Sequence, residues 1–294
     1  MKVICPDYVK SIMPKRSADA NKYSVGSLLC VAGSYTMAGA AVLSARAALR
    51  TGAGYVRCVV TEEIYPIVSA AVPEAVFLVL PSGKGGAVSA RYTKEIIKVA
   101  NKADAVLCGC GLGQSEDAKS IVESLVFETD TPLLLDADGI NIINKHIDIL
   151  KDVKKPLVLT PHEGEMKRLT GIPSSYIHNN REAVLKSFCE EYKAVTVLKG
   201  KDTLILQHSK EMYKNPTGNA GMAVAGSGDV LAGMIASLMA QGVNAFDSAL
   251  AGVYLHGLAG DLGARELTEY SLLPSDIIDY IPKAIKSVFK SREV

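Results

Sequence analysis

The sequence predicts an α/β fold with a mostly parallel central sheet and helices on both faces. Three observations carry that prediction. Short β-branched runs alternate with longer helical patterns, the runs are apolar without a polar alternate face, and the chain beyond Gly228 turns helical throughout. The strand candidates are Tyr55–Val60, Ala105–Cys108, Leu133–Leu135, Leu157–Thr160 and Val195–Leu198, the last followed across a turn by Thr203–Leu206. Helical spacing is found over Ala38–Arg50, Arg91–Asn101, Glu116–Phe127 and Arg181–Tyr192, then over Asp229–Ala240, Phe246–Leu262 and Pro274–Lys290. Pro81–Gly86 and Pro173–Asn180 read as loops and as candidate covers over a site. In such sheets ligands gather at the carboxyl ends of the strands, so the loops that follow the strands are where function is sought.

Composition narrows the class. A chain of 294 residues with 48% hydrophobic content can bury a large core, and one domain over residues 1–294 is expected. The 32 basic and 31 acidic residues nearly cancel, leaving no broad field to draw nucleic acid or an anionic membrane, so the expected partner is a small molecule. The six cysteines have neither zinc nor redox spacing and read as buried filler in a reducing compartment. Charges throughout Met1–Arg16 exclude a signal peptide, and the longest uncharged run, Val230–Phe246, is broken by Gln241, Gly242 and Asn244, short of the ~20 apolar residues of a membrane span. A cytoplasmic protein is expected.

Five loops can carry chemistry. Gly109-Cys-Gly-Leu-Gly113 follows a strand but has Gln114 where a dinucleotide fingerprint needs glycine; a tight turn and a close backbone approach to a ligand both remain open. Lys199-Gly-Lys-Asp-Thr203 is not a phosphate-binding P-loop, and on residue chemistry alone its lysines read as solvated around a hairpin turn. Asp136 and Asp138, past the Leu133–Leu135 strand, point the same way if strand geometry persists; they either share a Mg²⁺ ion or leave Asp138 to cap a helix. In Thr160-Pro-His-Glu-Gly-Glu165, Thr160 is placed to cap a helix beginning at Pro161. Glu163 and Glu165 suit such a helix start, and His162 is the residue without a structural excuse.

The fifth is Gly226-Ser-Gly-Asp229. Glycines on both sides of Ser227 leave backbone N–H groups bare at a helix N-terminus, a ready anion site made by Gly226, Ser227 and Gly228. A carboxylate there would repel a phosphate unless it had a task. Asp229 either caps the helix or takes a proton from a hydroxyl as that hydroxyl attacks phosphorus.

With these residues in hand, the chain resembles the ribokinase-like superfamily and, within it, the ADP/ATP-dependent NAD(P)H-hydrate dehydratases. The likeness runs from about Lys22 to Lys290 and is carried by Gly26–Ala41, Ala47–Gly54, Leu135-Asp-Ala-Asp-Gly139, Thr160–Glu165, Leu198-Lys-Gly200, Asn215–Asn219 and Gly226-Ser-Gly-Asp-Val-Leu231. It implies repair of NADH and NADPH hydrates in the S form, with ADP or ATP converted to AMP or ADP and phosphate. It further implies Ala40, Gly111, His162 and Asp229 as substrate-binding positions; Lys199, Gly200, Lys201, Asp202, Thr203 and Gly228 as adenine-nucleotide contacts; Asp229 as the catalytic residue; and Mg²⁺ with the phosphates. A homo-oligomer, a tetramer by analogy, is expected, with no N-terminal epimerase domain in this chain and a separate epimerase acting in the same pathway. Three residues depart from the family's habit: Ser227 for threonine, and Cys110 and Glu163 each for proline. The rival readings are a ribokinase-like kinase of a vitamin-precursor alcohol, which would share Asp229 and the anion site, and a non-catalytic nucleotide sensor. The His162 segment and Gly39–Ala41 favour the hydrate.

Overall fold

The computed structural model describes residues 1–290. Its ten strands are β1 (Lys2–Val3), β2 (Ser27–Val31), β3 (Tyr55–Thr61), β4 (Val76–Leu80), β5 (Ala105–Cys108), β6 (Leu133–Leu135), β7 (Leu157–Leu159), β8 (Val195–Leu198), β9 (Leu204–Leu206) and β10 (Tyr213–Lys214). They form one sheet in the order β1-β10-β9-β8-β7-β6-β5-β2-β3-β4. The block from β8 to β4 is parallel; β9 turns antiparallel against β8, and β10 against β9.

The helices are α1 (Pro6–Ile12), α2 (Ala38–Thr51), α3 (Tyr65–Ala71), α4 (Thr93–Ala100), α5 (Glu116–Phe127), α6 (Asp138–Ile143), α7 (Glu163–Thr170), α8 (Ser174–Asn179), α9 (Arg181–Tyr192), α10 (Ser227–Ala240), α11 (Ala245–Leu267) and α12 (Pro274–Lys290). Period-two alternation in the strands sorts them into two layers. Leu28, Cys30, Leu107, Leu134 and Val158 face a core shared with α2, α10, α11 and α12. Leu29, Val31, Val106, Leu133 and Leu135 face the core under α4, α5, α6, α7 and α9. The central strands are therefore covered on both faces, which leaves their ends to carry the site. None of the described helices is long and apolar enough to cross a membrane.

Two features aim the site. The chain runs from β2 outward to β3 and β4, then returns to place β5 on the other side of β2, so the topological switch lies between β2 and β5. There Gly109 N–H donates to Val31 O (3.2 Å) and Gly33 N–H to Cys110 O (2.8 Å), tying the two strand-end loops together. Second, α10 lies against α2 so closely that a Cβ on Gly233 would fall on the Ser44 carbonyl. That contact fixes where the start of α10 meets the sheet.

The differences from the sequence reading are local. Pro173–Asn180 is not a loop: Pro173 opens the short helix α8, whose Ile177 is fully buried. Periodicity does not mark β1, β2, β4 or β10, and Arg91–Asn101 splits into a 3₁₀ turn, Ala90–Tyr92, ahead of α4. Helix α11 runs beyond Leu262 to Leu267.

Candidate active site

The carboxyl ends of β5, β6, β7 and β8 and the start of α10 converge on one group of polar side chains. Asp136, one residue past β6, is buried at 1% exposure. Its Oδ1 accepts from Lys199 Nζ at 2.7 Å and from Thr160 Oγ1 at 2.7 Å, and its Oδ2 faces Cys110 Sγ at 3.8 Å. Lys199, just after β8, also lies 3.7 Å from Glu165 Oε2. Burial pulls the Lys199 ammonium down, but Asp136 and Glu165 more than restore it, and its pKa ends above the ordinary lysine value. Glu165 is itself raised to about 6, by burial chiefly, with Lys199 opposing.

Asp229 stands beside this group in the first turn of α10, its carboxyl within 4.8 Å of Cys110 and Asp136. Burial, and then the Asp136 charge, push its pKa up to about 6, against smaller opposing effects of Cys110 and Lys199. A carboxyl so placed is ionised at neutral pH yet far more basic than an exposed aspartate, the property wanted of a general base. At the same helix start Gly226 is left-handed (φ 97°) and no side chain caps the helix. Ser227 N–H donates to Val224 O at 3.2 Å. Of the three amides expected to form the anion site, that one is already engaged, which leaves Gly226 and Gly228. A Cβ on Gly228 would lie 3.5 Å from Lys199 Nζ, so the bare amide and the ammonium flank the same space.

Residues 28–283 match the family model described as NAD(P)H-hydrate dehydratase. The chain belongs to that family. Among its relatives, the ADP-dependent (S)-NAD(P)H-hydrate dehydratase of Neisseria meningitidis is 36% identical over 85% of this chain and 81% of its own length. The enzyme of the same name from Bacillus subtilis is 31% identical over 95% and 96%. The bifunctional NAD(P)H-hydrate repair enzyme Nnr of Moorella thermoacetica is 36% identical over 96% of this chain, which spans only 53% of that protein. In structure the chain is similar to the Bacillus subtilis ADP/ATP-dependent NAD(P)H-hydrate dehydratase co-crystallized with ATP/Mg²⁺, with a TM-score of 0.84, 29% identity and 98% of each chain covered. A ribokinase-like superfamily protein of Enterococcus faecalis superposes equally well, at a TM-score of 0.84 with 27% identity over 98% and 96%. The fold is ribokinase-like.

In this member of the dehydratase family, most residues singled out from sequence come together, and several do something other than expected. Ala40, in the first turn of α2, packs over Gly111: a Cβ on Gly111 would stand 2.6 Å from that of Ala40. Gly109 (φ 122°) is held so tightly that a Cβ would fall on the Asp136 carbonyl, so the glycines at 109 and 111 answer to chain packing. Asp136 and Asp138 flank Ala137, whose φ of 48° breaks the strand geometry between them, and they bond separate partners. Asp138 neither pairs with Asp136 nor caps α6; its Oδ2 accepts from Gly113 N–H (2.8 Å) and pins the Gly109–Gly113 loop.

Thr160 caps no helix either, its hydroxyl being committed to Asp136. Helix α7 begins at Glu163, and its N-cap is His162, whose Nδ1 accepts from Glu165 N–H (3.1 Å) while Glu165 Oε2 accepts from His162 N–H (2.8 Å). The histidine thus has the structural reason that the sequence reading denied it. Burial and the cations Lys199 and Arg168 hold its pKa below the ordinary value, so it is present as the neutral acceptor that a cap requires rather than as a cation. Its side chain is still 52% exposed at the mouth of the site.

Lys199 is not solvated, whereas Lys201 is exposed as a turn lysine should be. The turn itself is fastened from outside by Arg181, which donates to the carbonyls of Leu198 (2.8 Å), Lys199 (3.2 Å) and Lys201. Gly200 lies under the Arg181 guanidinium, Thr203 Oγ1 donates to Gly200 O at 2.9 Å, and Asp202 pairs with Lys214 at 2.9 Å. The cysteines are buried as expected of filler except Cys5, which is exposed, and Cys110 touches both site carboxyl groups. Arg181 had no local signal to mark it, and Glu165, marked only as suiting a helix start, meets Lys199 because β7 and β8 lie side by side.

Proposed function

We propose that the chain restores NADH and NADPH from the S forms of their hydrates, moving the terminal phosphoryl group of ADP or ATP onto the substrate's C6 hydroxyl. The observation that carries this reading is Asp229: a half-buried carboxyl, raised to about 6, at a helix start without a side-chain cap and beside a buried lysine. Asp229 takes the hydroxyl proton as the oxygen attacks phosphorus. The amides of Gly226 and Gly228, with the Lys199 ammonium, stabilise the charge that spreads over the transferring group. The O–P bond to AMP (or ADP) breaks, the C6–O bond then breaks as the ring nitrogen expels phosphate, and loss of the C5 proton completes the dihydronicotinamide. His162, Ala40 and Gly111 line the hydrate side of the cleft, and the Lys199–Thr203 turn, with Gly228, takes the nucleotide.

Among the described residues, one cluster offers three potential metal-ligating atoms: Cys110, Asp136 and Asp229. The Cys110 thiol is pushed well above its ordinary pKa by burial and the neighbouring carboxylates, so it stays protonated and is unsuited to a hard cation. Asp136 keeps Oδ2 free of Lys199 and fits Mg²⁺ whose remaining ligands come from phosphates and water; the ion would neutralise phosphate charge. We further place the protein in the cytoplasm as a homo-oligomer, with an epimerase as its functional partner.

The test is to supply hydrated NADH with ADP and then with ATP and to follow return of the reduced-cofactor absorbance together with phosphate release. Return of absorbance with stoichiometric phosphate is expected; no return with either nucleotide overturns the reading.

A further inference from the structure

His256 has no part in the chemistry above, yet it reaches the same helix start. It lies within α11, buried at 8% exposure, with Nε2 3.4 Å from the Oγ of Ser227, the residue between the two glycines that open α10. The Ser227 hydroxyl is itself buried and caps nothing, since Gly226 is the N-cap. Burial, reinforced by the Lys199 charge, pushes the imidazole down to about 4, so the ring is neutral at physiological pH with a single N–H to place. Where that proton sits decides what Ser227 can do. With it on Nε2 the ring donates to Ser227 and the hydroxyl proton is left for the anion site; with it on Nδ1 the ring accepts and turns the hydroxyl proton away. At 3.4 Å the Nε2–Oγ contact fits either tautomer, and only the first leaves Ser227 a donor at the anion site.

We propose that His256 is a positioning residue whose Nε2–H fixes the Ser227 hydroxyl as a donor to the terminal phosphoryl group of the nucleotide. The identity of that group rests on the dehydratase reading, but the direction of the donor is testable without turnover. Long-range ¹H–¹⁵N NMR of the protein alone is expected to show His256 neutral and protonated on Nε2 at pH 7, with the Nε2 resonance shifted in Ser227→Ala. A proton on Nδ1 overturns the proposal.

In steady-state kinetics, Ser227→Ala and His256→Leu are each expected to lower kcat by roughly 100-fold, the loss of one oxyanion donor, with KM for the nucleotide within about twofold. The double variant falls no further than the worse single one, because both remove the same donor. His256→Gln, which presents an amide N–H near the place of Nε2, recovers most of the rate, and thermal melts show whether each variant is folded. If the losses multiply in the double variant, or Gln is no better than Leu in folded protein, His256 does not act through Ser227. If the unaltered chain fails to restore the cofactor, the functional reading falls instead, and the tautomer measurement alone decides the donor's direction.

Discussion

Replacing Asp229 with asparagine is expected to abolish turnover and to make the protein more stable, two effects of opposite sign from one atom. The carboxyl's pKa is raised from 3.8 to about 6, chiefly by burial and then by Asp136, so the folded state resists its ionisation. At about 1.4 kcal/mol per pKa unit, holding this charge at pH 8 costs the folded state roughly 2–3 kcal/mol. A group whose folded pKa is raised binds more protons in the folded than in the unfolded chain, so stability falls as pH climbs through the window from 3.8 to about 6. Asparagine removes that dependence. Urea unfolding of both proteins at pH 4 and pH 8 should therefore show little difference at the lower pH and a gain of about 2 kcal/mol for Asp229→Asn at the higher. Affinity for ADP should stay close to unaltered, since the proposed phosphate contacts come from backbone and Lys199. A variant no more stable at pH 8, or a gain equal at both pH values, would refute the claim that this carboxyl is held charged against its surroundings.

Lys199→Met leaves two buried carboxyl groups without their cation; removing one partner of a buried pair costs about 3–5 kcal/mol. The loss should be largest at pH 8 and shrink toward pH 5 in urea melts, as Glu165, already raised to about 6, takes up its proton. Because Lys199 also lowers the Asp229 pKa, the acid limb of the kcat/KM profile should move to higher pH in a folded Lys199 variant. His162→Ala should cost about 1 kcal/mol of stability as a lost cap, and His162→Asn should not. A contact with the hydrate is shown only if both variants raise its KM. Arg181→Met unfastens the Lys199–Thr203 turn, and KM for the nucleotide should rise more than kcat falls; equal effects on both would assign Arg181 to the chemistry instead.

Local chemistry was legible in the sequence, and pairings across the sheet were not. Helices Glu116–Phe127, Arg181–Tyr192 and Pro274–Lys290 and strands β5, β6 and β8 have the bounds that their apolar spacing implies, because each buries a face set by its own pattern. Asp229 could be singled out because its flanking glycines lie in the same turn. Lys199 could not be paired with Asp136, 63 residues away, since only the adjacency of β6, β7 and β8 brings them together. The same limit hid Arg181, whose targets lie across the α9–β8 connection. Asp138's role was not legible for a different reason: one residue of positive φ, Ala137, ends the strand geometry on which alternation relies.

The pairing of Lys199 with Asp136 explains why a basic carboxylate and an anion site can share one turn. Asp136 raises the Asp229 pKa, since two carboxylates sharing one space repel. The Cys110 thiol and Lys199 pull it back, though by less. Burial, the largest effect, leaves the carboxyl near 6, basic yet ionised at neutral pH. The lysine's remaining hydrogen-bonding capacity lies beside Gly228, where the absence of a side chain leaves room for a phosphoryl oxygen to meet both the amide and the ammonium. Glycine at 228 is thus demanded by access rather than by backbone conformation, for it sits within regular helix α10.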